Sequence, residues 1–267
     1  MRLVYTVLRN RIFDIAMIPR LQQWTQHLMA RLPAALPSSC ALCGSSGKDT
    51  LCAGCRAQFI ARRLNCCSQC AMPLTAMATE GATVDQRCGA CLDDAPAFDA
   101  TIAAVDYGAP VDQLVIALKF GSRLTLAPLF ANLMRDALLH RAQTSLPDLL
   151  IPVPLGQLRL AKRGFNQALE IARPLSRSLG IALEARLAQR LRETDAQSTL
   201  HPEQRRKNMR GAFSVAPAMV EKPRGLHIGV IDDVMTTGET LNEMAATLKR
   251  FGAARVTNFV FARTLLK

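Results

Sequence analysis

Two adjacent carboxylates, Asp232 and Asp233, close a short apolar run and are followed, after Val234 and Met235, by Thr236, Thr237, Gly238, Glu239 and Thr240. Ile228, Val230 and Ile231 read as a buried strand, and Met244, Ala245, Leu248 and Phe251 recur at helical spacing beyond the turn. The motif therefore falls at the carboxyl edge of a strand. In an open α/β sheet ligands bind at that edge, and a helix beginning there presents unpaired N–H groups and the positive end of its dipole to an anion. Gly238 lets the backbone approach a ligand closely, while the three threonines add hydroxyl donors. The aspartates cannot hold a phosphate. They suit a group rich in hydroxyl donors, such as a ribose diol, or a divalent cation. A plainer alternative is that Thr236 with Glu239, or Thr240 with Glu243, is a capping box that merely starts the helix. One capping residue would do that, which leaves the acid pair and Gly238 unexplained. Neither GxxxxGK[ST] nor a GxGxxG following a strand occurs.

The cysteines form a second group. Cys40/Cys43, Cys52/Cys55, Cys67/Cys70 and Cys88/Cys91 are four Cys-x-x-Cys pairs, with Cys66 as the ninth cysteine. Two pairs can close one tetrahedral zinc site with no open position, so eight ligands imply up to two structural zinc ions. Pairing is either sequential, Cys40–Cys55 and Cys67–Cys91, or interleaved. A disulfide framework is the alternative, but the N-terminal stretch is broken by Arg2, Arg9, Arg11 and Asp14 and lacks the apolar core of a secretion signal. The expectation is a cytoplasmic chain with reduced thiols. None of the four histidines has ligand spacing to a cysteine pair.

The elements that must position these groups follow after Cys91. Strands are expected at 101–107, 148–154, 226–231 and 255–264, with helices near 110–119 and 124–142 and another over 165–180, broken or kinked at Pro174. Alternation of strands and helices implies a mainly parallel sheet flanked by helices. The polar, weakly periodic stretch 191–210 reads as a long loop of the kind used as a lid or binding segment. The expected division is a helical extension over 1–36, a Cys-rich domain over 37–95 and an α/β domain over 96–267. No stretch approaches the ~20 apolar residues of a membrane span. Residues 1–30 could form amphipathic helices with a basic side.

Net charge is +12. Twelve basic and five acidic side chains lie between 155 and 210, so more than half of the excess sits in and beside the candidate site. Such a field can steer a polyphosphate or mark a nucleic-acid footprint. Aromatic residues are only 5% of the chain, so stacking platforms for single strands are few.

Taken together, the strand, Asp-Asp and Thr-Thr-Gly-x-Thr resemble the phosphoribosyl-pyrophosphate (PRPP) motif of type I phosphoribosyltransferases. IPVPLGQLRLAKRGFNQ at 151–167, RLRETDAQSTLHPEQRRKNMRGAF at 190–213 and the cysteine pairs narrow the resemblance to the ComF family of double-zinc-ribbon phosphoribosyltransferase-like proteins, including its GntX-type members. It spans residues 40–265. The resemblance implies a type I phosphoribosyltransferase fold behind two zinc ribbons. PRPP would lie with its 5-phosphate on Val234–Thr240, its ribose hydroxyls near Asp232 and Asp233, and its pyrophosphate near the turn at Pro154 and Leu155. Mg²⁺ would accompany the pyrophosphate, with Arg159, Arg163 and Arg190 stabilising charge as the C1–O bond breaks. Asn166 and Gln167 are either polar contacts or helix-capping groups, and Lys119 could reach a phosphate. The implied activity is transfer of ribose 5-phosphate to an unidentified acceptor. The alternative is an accessory of natural competence and DNA uptake that handles single-stranded DNA and uses the PRPP site as a ligand sensor. A third option makes the ribbons a docking module for a partner protein.

Overall fold

A computed structural model describes residues 38–60, 63, 65–74, 86–141, 145–192 and 210–265. The expected extension over 1–36 and nearly all of the 191–210 loop lie outside the described residues.

Five parallel strands form the main sheet: β3 (Ala100–Tyr107), β4 (Leu149–Pro152), β5 (Ala182–Leu183), β8 (His227–Met235) and β9 (Arg255–Thr264). Their order is β3-β9-β8-β4-β5. The strands are apolar along almost their whole length, as they must be when both faces of a parallel sheet are covered. Helices α3 (Val111–Lys119), α4 (Leu126–Leu139) and α6 (Gln167–Leu179) cover one face, where Leu150, Ile231, Phe259 and Phe261 pack with Leu114, Phe130 and Ile171. On the other face α7 (Glu239–Arg250) buries Leu241, Met244 and Leu248 against Ile228, Val230 and Val260. A two-stranded antiparallel hairpin, β6 (Ala188–Arg190) with β7 (Phe213–Val215), lies on that side and carries the 191–210 segment between its strands.

Three expectations need amending. The motif strand does not stop at Ile231: it runs on to Met235, so both aspartates sit inside it rather than just past its end. Pairing of β8 with β9 continues as far as Met235 with Arg263, and this ladder holds the acid pair extended. Pro174 does not break its helix, which continues from Gln167 to Leu179, because Ile171, Ala172 and Leu175 are wholly buried and packing outweighs the lost hydrogen bond. The strands β5, β6 and β7 are too short for periodicity to reveal.

The cysteine-rich segment contributes a two-stranded ribbon, β1 (Ser38–Ser39) with β2 (Ser46–Gly47), and two short helices, α1 (Ala53–Phe59) and α2 (Gly89–Asp93). Its second half docks on the edge strand β3. Arg141 donates to the carbonyls of Thr101 and Ser68, and Arg63 joins Asp106 to the carbonyl of Ala71. This cover protects an edge that would otherwise be open to pairing with another chain. No helix among the described residues is long and apolar enough to cross a membrane.

Candidate functional site

After β4 the chain leaves toward β5, and after β8 it leaves toward β9, in the opposite direction across the sheet. The crevice between the carboxyl ends of two such neighbours is where open α/β sheets take ligands. Both loops singled out in the sequence open there: Val153–Gly156 after β4 and Thr236–Gly238 after β8.

Helix α7 begins at Gly238, whose φ of 93° lies in the left-handed region, and no side chain caps it. The capping boxes are thus not what starts the helix. The carboxylate of Glu243 accepts instead from the N–H of Gly211, tying the hairpin to α7. The left-handed backbone at position 238 favours glycine, and a Cβ there would also displace the terminal methyl of Met235, 2.6 Å away. Among the described residues, no backbone–backbone hydrogen bond of the turns, loops and caps uses the main-chain N–H of Thr236, Thr237 or Gly238 as donor. The Thr237 hydroxyl is buried with no partner among the described residues. Buried polar atoms are seldom left so. A group of oxygen acceptors seated on this loop would satisfy both sets of donors, which is the fit a phosphate requires. Val234 is half-buried, and Met235 is packed in the core and offers only its main chain.

Asp233 is 2% exposed and Asp232 is half-buried. The Lys119 ammonium lies 2.5 Å from one Asp233 oxygen, and the Gln167 amide donates to the other at 3.1 Å. Burial alone would raise the Asp233 carboxyl, but Lys119 and Gln167 outweigh it and hold it below the ordinary carboxylate range. Asp232 goes the other way. Burial, reinforced by the neighbouring negative charge of Asp233, pushes it up to about 8. The two acids therefore divide the protonation states between them.

Gln167, then, is a contact of the acid pair rather than a cap, while Asn166 both caps α6, by accepting from the Ala168 N–H, and donates to the carbonyl of Val153 in the facing turn. Lys119, which the sequence offers as a phosphate contact, is drawn to Asp233 instead. Arg163, at the end of α5 (Gln157–Arg163), is half-buried, donates to the Gln167 side chain and lies 5.5 Å above the Phe120 ring. Burial lowers its pKa and the two aspartates raise it, which places its charge beside them. Arg159 is on the same helix, close enough to Arg163 for their charges to interact. Arg190 belongs to the hairpin, where it lies over Phe213 at 5.4 Å and donates to the carbonyl of Arg192. Pro154 and Leu155 are half-buried in the turn after β4.

The cysteines assemble sequentially: Cys40, Cys43, Cys52 and Cys55 form one quartet, and Cys67, Cys70, Cys88 and Cys91 the other. Within each, the four sulfurs lie within 4.8 Å of one another. The Cys43–Cys52 and Cys70–Cys88 distances are 3.8 and 3.5 Å. Tetrahedral zinc with Zn–S bonds of about 2.3 Å separates its sulfurs by about 3.8 Å, so both quartets fit the ion. Cys66 is in neither. Burial pushes Cys55 and Cys91 up to about 12, so loading metal there must displace protons.

A phosphoribosyl transferase domain model matches residues 160–265, and a double zinc ribbon model matches residues 32–92. The DNA utilization protein YhgH of Salmonella typhimurium is 36% identical over 219 residues, 80% of this chain and 91% of its own length. The protein of the same name from Escherichia coli strain K12 is 36% identical over 203 residues, covering 74% of this chain and 84% of its own. Competence protein F of Haemophilus influenzae is 34% identical over 220 residues, 81% of this chain and 91% of its length.

Proposed function

Since the chain belongs to the ComF family, a double zinc ribbon followed by a phosphoribosyltransferase domain, we propose that it binds PRPP with Mg²⁺ and transfers ribose 5-phosphate to an acceptor. The observation that carries this reading is the Thr236–Gly238 turn directly beyond the acid pair: among the described residues its Thr237 hydroxyl has no partner and none of its three N–H groups donates to a main-chain carbonyl in the turn, loop and cap hydrogen bonds. The loop would take the 5-phosphate. Ionised Asp233 would accept from a ribose hydroxyl, and Asp232 from the other once it has lost its proton. Pro154 and Leu155 would border the pyrophosphate. Mg²⁺, when bound, supplies neutralising charge to that leaving group. As an acceptor lone pair forms the new bond at C1 and pyrophosphate departs with the old bonding pair, Arg163 and Arg159 stabilise the charge gathering on the pyrophosphate oxygens, and Arg190 does so from the hairpin. Isothermal titration with PRPP and Mg²⁺, followed by pyrophosphate release across a panel of acceptors, tests the reading. Binding by the wild type and its loss in Asp232→Ala/Asp233→Ala support it. A wild type that binds no PRPP overturns it.

The names of the relatives, together with the net charge of +12, favour a second reading. In it the protein is an accessory of DNA uptake that holds single-stranded DNA and uses the PRPP site as a sensor, with its zinc ribbons available to dock a partner protein. DNA binding that falls steeply with salt and survives in Asp232→Ala/Asp233→Ala would select it.

A further inference from the structure

Arg263 is the largest fully buried side chain among the described residues, 2% exposed, and its recorded hydrogen bonds there all go to main-chain carbonyls. Its guanidinium donates to four carbonyls. Nε reaches Cys70 at 3.0 Å, and Nη1 reaches Met235 at 3.1 Å, Thr264 at 2.8 Å and Thr236. One side chain thus joins a member of the second cysteine quartet to two successive residues at the mouth of the phosphate loop. Among the described residues the one cis peptide is Ala109–Pro110, so the peptides after Met235 and Thr236 are trans and planar, with each N–H opposed to its carbonyl. Holding those two carbonyls on the guanidinium turns the N–H groups of Thr236 and Thr237 away from it.

The same quartet supports the loop from a second direction. Gln69, between Cys67 and Cys70, donates to the carbonyls of Pro96 and Phe98. The buried Phe98 ring would lie 4.0 Å from a Cβ at Gly238, and the neighbouring Ala97 N–H donates to Asn242 on α7. Cys67, Cys70, Cys91 and Phe98 share one apolar cluster with Met235, Leu241 and Met244. The first quartet does not: Cys40, Leu51 and Cys55 pack in the cluster on the opposite face of the sheet. Four thiolates around one zinc ion would carry a net charge of −2, opposite in sign to the buried guanidinium that bonds the Cys70 carbonyl.

We propose that Arg263 makes the second cysteine quartet part of the phosphate loop, so that metal held by Cys67, Cys70, Cys88 and Cys91 sets the loop's affinity for PRPP while metal in the first quartet does not. Arg263 is a positioning residue: it touches no ligand and acts through the carbonyls of Met235 and Thr236. The affinity part rests on the PRPP reading above. The loop geometry does not.

Hydrogen exchange across residues 234–241 and PRPP titration with Mg²⁺ are to be measured on the full chain, with zinc content, for wild type, Cys91→Ser, Cys43→Ser and Arg263→Lys. Cys91→Ser should speed exchange across 234–241 and weaken PRPP by roughly tenfold more than Cys43→Ser does, the scale expected when site groups are displaced. Arg263→Lys keeps a positive charge but cannot span four carbonyls, so it should speed exchange at the loop while both zinc ions remain bound. Equal effects of the two cysteine variants on loop exchange, or wild-type exchange in Arg263→Lys, would overturn the proposal. If the wild type binds no PRPP, the functional reading fails, and the exchange comparison still decides the coupling.

Discussion

Asp232 and Asp233 are neighbours in one strand and hold their protons differently, because only Asp233 has the ammonium of Lys119 against it. That difference has a measurable sign. Asp232 titrates at about 8 in the fold against an ordinary 3.8, so between those values the folded protein keeps a proton that the unfolded chain has released. The stability of the ligand-free protein should therefore fall as pH rises from about 4 to about 8, and Asp232→Asn should remove that part of the slope in denaturant titrations across the range. Lys119→Met would leave Asp233 buried and unpaired, with an expected loss of about 2 kcal/mol, below the ~3–5 kcal/mol of a fully buried pair because Lys119 is partly exposed. The double variant Lys119→Met/Asp233→Asn should recover most of it, and a double-mutant cycle by thermal unfolding measures the coupling. The aspartates and the Thr-Thr-Gly-x-Thr turn were legible in the sequence because adjacent carboxylates beside a glycine-containing turn have few structural uses. Lys119 and Gln167 were visible only as polar residues near helix ends, since their contacts with Asp233 span more than a hundred and exactly sixty-six positions of chain and leave no local signature.

Among the elements, α6 and α7 start by different means, and the difference follows their tasks. Asn166 caps α6 and at the same time holds the turn after β4 through the carbonyl of Val153. Asn166→Ala should cost about 1 kcal/mol in thermal unfolding, the usual loss of a cap, and should loosen the Pro154–Leu155 turn in hydrogen exchange. At α7 the cap position is Gly238, and among the described residues no side chain makes a capping hydrogen bond there. The long strands and helices were readable because their periodicity extends over eight residues or more, as in Ala100–Tyr107 and Glu239–Arg250. The end of β8 was not: Asp232 and Asp233 are poor strand formers, and only the ladder to β9 keeps them extended. Nor was the β6–β7 hairpin, whose three-residue strands pair across a segment of more than twenty positions.

For the molecule as a whole, the eight paired cysteines imply up to two zinc ions and leave their grouping open; the two sulfur quartets, packed in clusters on opposite faces of the sheet, resolve it as sequential. Chelation at neutral pH should lower the melting temperature and expose residues 40–98 to protease, and zinc should leave more readily as pH falls, because its ligands must be deprotonated; metal analysis across a pH series checks both. One feature of the topology bears on how such a molecule is made. Strand β9 is hydrogen-bonded on both sides, to β3 and to β8, yet it follows both in the chain. During translation β3 and β8 are complete while the strand that separates them is still inside the ribosome. Each then shows an unsatisfied edge, a state in which growing chains are prone to associate with one another. Arg263 arrives with that same strand. The candidate site is therefore finished among the last of the described parts to emerge, and a nascent chain stalled before Arg255 would have its cysteine quartets complete and the Thr236–Gly238 turn with no Arg263 beneath it.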